Sequence, residues 1–169
     1  MNTTARTKKI VLAALMAALT CLATMIIKIP SPLKGYLNLG DGIVLTAAWI
    51  LSPTYGFLAA ALGSALADLF SGYVIYAPAT FIIKGLMVPI AYFMFQALQK
   101  KCGKLLCKII SGTTAEIFMV LGYFVFEGFL YGFIPSAVNI LPNAAQGVAG
   151  LIVGIILSKA IEKTKLSCQ

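Results

Sequence analysis

Long apolar runs alternate along the chain with short clusters of proline, glycine and lysine, and that alternation predicts the elements. A first run from about Ile10 to Ile27 stops before Lys28, Pro30, Ser31 and Pro32, where two prolines two apart rule out a continuous helix. Ile29 to Asn38 follows as the longest connecting loop. From Leu39 to Phe70 the chain is apolar except at Ser52-Pro53. One helix over that stretch would be about 48 Å long, well beyond a hydrocarbon core of about 30 Å, so it divides into spans at about 39–51 and 54–70. Ser71 to Pro78 is a second loop, then come a span at about 79–98, a lysine-rich loop, a fifth span at about 109–133 and, past Pro135, a sixth at about 137–161. The expectation is an all-α bundle of six transmembrane helices forming one membrane domain over residues 1–169, with its second span the shortest.

Composition agrees: 60% of the residues are hydrophobic and 11% charged, against roughly a quarter charged in a soluble domain. The net charge of +8 does not point to nucleic acid, because the basic residues punctuate apolar runs instead of gathering on one polar face. They orient the bundle. Arg6, Lys8 and Lys9, then Lys100, Lys101, Lys104 and Lys108, then Lys159, Lys163 and Lys165 fall on one side of a six-span layout, leaving only Lys28 and Lys34 opposite. Basic loops stay cytoplasmic, so both termini are expected in the cytoplasm of a multi-pass protein of the cell membrane. The basic start imitates a secretory signal, with Cys21 near an imaginable lipoprotein cleavage. The later segments are equally apolar and the Ala18-Leu19-Thr20 context is poor, so Ile10 onward reads as a retained first helix. Trp49 is expected as an interfacial anchor at the inner end of the second span.

Cys21, Cys102, Cys107 and Cys168 are scattered and there is no histidine, so free thiols are expected and neither a disulfide framework nor a metal site. No segment fits a Gly-Lys-Ser/Thr phosphate loop, and no nucleophile has a histidine partner. No catalytic residues and no cofactor are therefore expected, and an enzyme is disfavoured.

With orientation assigned, the intramembrane polar residues converge at one level beneath the outer loops. Lys84 lies in the outer part of span four, Glu127 in that of span five, and Asn139 and Asn143 in that of span six; Asp41 begins span two and Asp68 ends span three. Charges at such depth are paired or line a cavity. One reading is a structural Lys84–Glu127 ion pair. The other is a small-molecule pocket: Tyr123, Glu127 and Tyr131 recur at helical spacing, as do Asn139, Asn143 and Gln146, under loops bearing Tyr36, Asn38 and Tyr76. Glu116, deeper on the same stripe, is expected to snorkel towards Lys104 and Lys108. Small residues also recur: Ala13 and Ala17, Ala14 and Ala18 on span one; Gly56, Ala60, Ser64 and Ala67 on span three; Gly147, Gly150 and Gly154 on span six. These allow close helix approach, and the doubled alanines of span one could equally face another subunit.

Four segments carry a resemblance: Asn38-Leu39-Gly40-Asp41-Gly42 through Ser52-Pro53-Thr54-Tyr55-Gly56, Gly63 to Leu69, Tyr76-Ala77-Pro78-Ala79-Thr80, and Lys84-Gly85-Leu86-Met87. The chain resembles the substrate-binding S component of energy-coupling factor (ECF) vitamin transporters, nearest the riboflavin-type group, over essentially its whole length. The resemblance implies capture of a vitamin outside the cell. It also implies docking on a membrane scaffold (EcfT-type) subunit driven by two cytoplasmic ATPases, through a helix-one alanine pattern matched by Ala13, Ala14, Ala17 and Ala18. The ligand would sit under the first outer loop among helices four to six.

A cation and an anion at one depth suit pyridoxine, with its acidic phenol near Lys84 and its ring nitrogen near Glu127, so a vitamin B6 form is favoured. Riboflavin, served by Asn139, Asn143 and Gln146, and hydroxymethylpyrimidine come next. The rival class is a homodimeric secondary transporter or channel coupled to protons through Glu127 or Glu116. A purely structural assembly subunit, the third reading, would bind no ligand.

Overall fold

A computed structural model describes residues 3–31 and 36–164, so Lys34, Lys165 and Cys168 lie outside the described residues. The chain is almost entirely helical. Helix α1 spans Thr3–Ile26, α2 Gly40–Ile50, α3 Pro53–Phe70, α4 Ala77–Leu98, α5 Lys104–Tyr131, a single turn α6 Phe133–Ser136, and α7 Ile140–Lys163 after a 3-10 turn at Ala137–Asn139. Ile29–Pro30 (β1) and Tyr36–Leu37 (β2) pair antiparallel, so the first long loop is a small hairpin.

Among the described residues four helices are long and apolar enough to cross a membrane, those within Arg6–Ile26, Ala77–Leu98, Lys104–Tyr131 and Phe133–Lys163. Helix α2 is the exception the sequence pointed to. At 11 residues it is about 16 Å long, and it packs against α1, α3, α4 and α7 with nearly every residue buried. Its length is set by its neighbours: a helix enclosed on all sides has no need to match the bilayer. Small residues make the enclosure possible. A Cβ added to Gly154 would lie 3.1 Å from the Gly42 carbonyl oxygen, and one on Gly63 would lie 2.4 Å from that of Ala17, so α2–α7 and α1–α3 approach backbone to backbone.

Helix ends follow local chemistry. Pro53 stands in the first turn of α3, where its missing N–H costs nothing. Gly132, at φ +91°, ends α5 in a conformation that side-chain-bearing residues avoid. Helix α5 begins at Lys104, so Lys104 and Lys108 are helical and not loop residues. Pro135 lies in α6 and does not open the last helix directly.

The ends sort into two levels. The start of α1 meets the ends of α2 and α7 and the start of α3 in a cluster that includes Ala13, Met16, Ile50, Leu51, Tyr55 and Ile161. Beside it, Lys108 at the start of α5 reaches Glu162 near the end of α7. At the opposite level lie the hairpin, the end of α3 and the starts of α2, α4 and α7. Trp49 belongs to the core and not to an interface: it is 2% exposed and donates from Nε1 to Ser111 Oγ at 3.1 Å, because α2 carries it inside the bundle.

Candidate functional site

The hairpin is tied down over the second level of the bundle. Tyr36 donates its hydroxyl to Asp68 Oδ1 at 2.6 Å, Lys28 donates to Ser71 Oγ, and the Asn38 N–H donates to Gln146 Oε1 at 2.9 Å. Burial and then the adjacent Asp68 carboxylate push the Tyr36 phenol well above its usual range, so it remains a donor. Asn38 Oδ1 also accepts from the Gly40 N–H at 2.9 Å, satisfying an otherwise orphaned donor at the head of α2.

Beneath this cover lies a narrow chamber with about 30 Å³ of free space. Its walls hold Tyr36, Asn38, Tyr76, Tyr123, Glu127, Asn143 and Gln146, seven of the ten residues expected at a ligand site, together with Ser31, Asp68, Tyr73 and Thr80. Aromatic contacts order one side: the Tyr36 and Tyr73 rings are 4.6 Å apart, and Tyr73 and Tyr76 meet edge to face at 6.3 Å. Thr80 and Tyr123 share a 3.0 Å hydrogen bond across α4 and α5. Glu127 Oε1 accepts from Asn139 Nδ2 at 2.9 Å and from the Tyr76 hydroxyl at 3.3 Å, whereas its Oε2 is buried without a hydrogen-bond partner among the described residues.

Three expected residues stand elsewhere. Lys84 is not paired with Glu127; it is buried one turn of α4 below Thr80 and bonds directly to Asp41 of α2, whose other oxygen accepts from Gln146 Nε2 at 2.6 Å. Two groups equally deep on different helices cannot be told apart as partners from depth alone, and α2, lying between α4 and α7, brings Asp41 nearer. The Lys84 ammonium also lies 5.4 Å from the Tyr123 ring centroid. Asn139 is buried behind Glu127 and positions it. Tyr131 lines a separate cleft against Gly72 to Tyr76, because it occupies the last turn of α5.

Of the four residues missed, Thr80 falls one helical turn from both Tyr76 and Lys84, and Tyr73 shares the Tyr76 loop. Asp68 had the right depth. Nothing in the sequence marked Ser31. Glu116 does not snorkel: it is 6% exposed and lies against Gly147 and Gly150 of α7, while Lys108 takes Glu162 and Ser158. The alanines of α1 divide, with Ala13 and Ala17 turned towards the core and Ala14 and Ala18 exposed. Among the described residues Cys21, Cys102 and Cys107 are free thiols.

A bundle of long apolar helices with a polar chamber capped at one end is the architecture of a multi-pass membrane protein. Residues 4–163 match the family described as the ECF-type riboflavin transporter, S component, and the chain belongs to that family. The family is one of membrane-integral transport subunits and not of enzymes. A Pyrococcus woesei protein, described as an uncharacterized protein in the gap 3' region, is 34% identical over 141 residues, covering 83% of this chain and 92% of its own. Two solved structures share the fold. One is the S component of a bacterial ECF transporter, with a TM-score of 0.71 at 23% identity over 94% of this chain and 98% of its own. The other is the S component for biotin from an ECF-type ABC transporter, with a TM-score of 0.69 at 16% identity over 96% and 95%.

Proposed function

We propose that the chamber captures a flat heteroaromatic vitamin outside the cell and that riboflavin is its first choice. The observation that carries this reading is the chamber wall itself: tyrosine rings beside amides and hydroxyls, with one buried oxygen each of Asp68 and Glu127 left open to a donor. Rings of this kind stack on a flat ligand, and a few directional groups fix its orientation. Riboflavin is neutral; its ring N–H and side-chain hydroxyls can donate to Glu127, and its ring carbonyls and hydroxyls can accept from Asn143. Membership in the riboflavin-type family supports the same choice. The vitamin B6 preference needed a free cation beside a free anion, and Lys84 is bound to Asp41. Pyridoxine thereby loses the partner for its phenolate and ranks second, ahead of hydroxymethylpyrimidine.

Calorimetric titration of the purified protein tests the order. Riboflavin is expected to bind at least about 100-fold more tightly than pyridoxine or pyridoxal, a gap of about 2.7 kcal/mol. Tight pyridoxine binding with none for riboflavin would overturn it.

We propose that α1, α2, α3, α4, α5 and α7 correspond to the six expected spans, with both termini cytoplasmic, since the basic residues cluster at the level shared by the start of α1 and the end of α7. The exposed Ala14–Ala18 face of α1 is then assigned to an EcfT-type scaffold subunit driven by two cytoplasmic ATPases. Ala14→Leu with Ala18→Leu is expected to abolish uptake while leaving vitamin binding intact. Concentrative uptake in cells lacking the scaffold and ATPases would instead establish the homodimeric proton-coupled transporter.

A further inference from the structure

Helices α5 and α7 part around Glu116, leaving a groove of about 280 Å³. The groove is distinct from the vitamin chamber and shares none of its lining residues. Its rims are apolar and outward-facing, with Ile117 and Leu121 each 56% exposed on α5 and Val148 61% exposed on α7. Glu116 lies along its floor, with both carboxyl oxygens closed over against α7. Glu116 is 6% exposed, and neither of its oxygens has a hydrogen-bond partner among the described residues.

The surroundings explain why this group is unserved. Helix α7 offers it only glycine: Cβ atoms added to Gly147 and Gly150 would lie 3.1 Å from Oε2 and Oε1 respectively. The charged groups facing it from the other helices are Asp41 of α2 and Lys84 of α4. Those two are joined to each other, so Lys84 is already taken and the carboxyl is left without a counter-ion of its own. A lone carboxylate about midway along a membrane helix is costly until a proton or a cation relieves it.

We infer that the α5–α7 groove is a second binding site, taking a membrane-dissolved alkyl ammonium whose chain lies along the apolar rims and whose charged head sits on Glu116. Charge complementarity selects the head and the apolar rims select the tail. A phospholipid amine is excluded as the source, because its headgroup stays at the membrane surface while Glu116 is near mid-depth.

Dicyclohexylcarbodiimide, a membrane-soluble reagent, tests the site on the full protein in phosphatidylcholine nanodiscs. The Glu116 carboxyl oxygen bonds to the carbodiimide carbon while its proton passes to nitrogen, and the adduct rearranges to an acylurea that mass spectrometry locates. Glu116 is expected to be labelled. Dodecylamine is expected to slow labelling at least about tenfold, the effect of one charge-assisted contact, and dodecanol to leave the rate unchanged. Glu116→Gln should remove the label. Ala144→Phe, which fills the groove but keeps the carboxyl, should slow labelling without disturbing the gel-filtration profile. The proposal is overturned if Glu116 is labelled only after unfolding, if dodecylamine does not protect it, or if dodecanol protects it equally.

Discussion

The two ends of the bundle hold charge in opposite ways. At the end where α1 begins and α7 finishes, Lys108 is 1% exposed and fully engaged: it donates to Glu162 at 2.9 Å and to Ser158 at 2.8 Å, and lies 5.5 Å from the Trp49 ring centroid. At the chamber end Glu127 is equally buried, yet one of its oxygens has no partner among the described residues. Both are ionisable residues inside a membrane protein, and burial does not separate them. Completeness of hydrogen bonding does: Lys108 is satisfied and ties α5 to α7, whereas Glu127 and its neighbour across the chamber, Asp68, each keep one oxygen open. The Asp41–Lys84 pair lies at the boundary. It touches the chamber through Gln146 but is closed on itself, and so belongs with the structural charges.

That classification is most exposed to failure at Asp41. Replacing it with Ala strands a buried ammonium, a loss expected to cost about 3–5 kcal/mol of stability in denaturant unfolding in micelles. Asp41→Ala with Lys84→Met should recover most of that, because the stranded charge is then gone. If Asp41→Ala instead left stability intact and weakened only vitamin binding, the pair would belong with the chamber.

Glu127 provides the opposite test at smaller size. Glu127→Gln keeps an acceptor for Asn139 and Tyr76 and changes the free oxygen into an amide donor. Vitamin binding should weaken about 10- to 100-fold, the equivalent of about 1.5–3 kcal/mol for a hydrogen bond to a charged group. Unfolding free energy should barely move. Calorimetry and denaturant unfolding on the same preparation separate the two quantities, and a large stability loss with unchanged affinity would class Glu127 as structural.

What the sequence revealed follows from the reach of one-dimensional spacing. Breaks at Ser52-Pro53 and Pro30 locate helix ends because proline acts locally. Depth along each helix follows equally well, which is why most of the chamber wall, from Tyr36 to Gln146, was legible. Rotation about the helix axis and the order of helices around the bundle leave weaker traces. Lys84 was therefore paired with Glu127 and not with Asp41, and Glu116 was directed to lysines of its own helix when it faces the glycines of α7. Trp49 failed for a related reason: an 11-residue helix enclosed by four others ends inside the protein, so a residue near its end does not meet the lipid surface.

The smallest expected effect lies at the end opposite the chamber, where one carboxylate serves two lysines unequally. Glu162 bonds Lys108, which is buried, and Lys104 at 3.1 Å, whose side chain is 63% exposed. Lys104→Gln removes only the solvated contact and leaves the Lys108 bonds intact. Stability should fall by no more than about 1 kcal/mol. The difference from wild type should shrink further as salt is raised, because an exposed pair is screened and a buried one far less so. A loss several times larger, or one indifferent to salt, would mean that Lys104 helps close the Lys108 cluster and that this end is held by a charge network instead of a single buried pair.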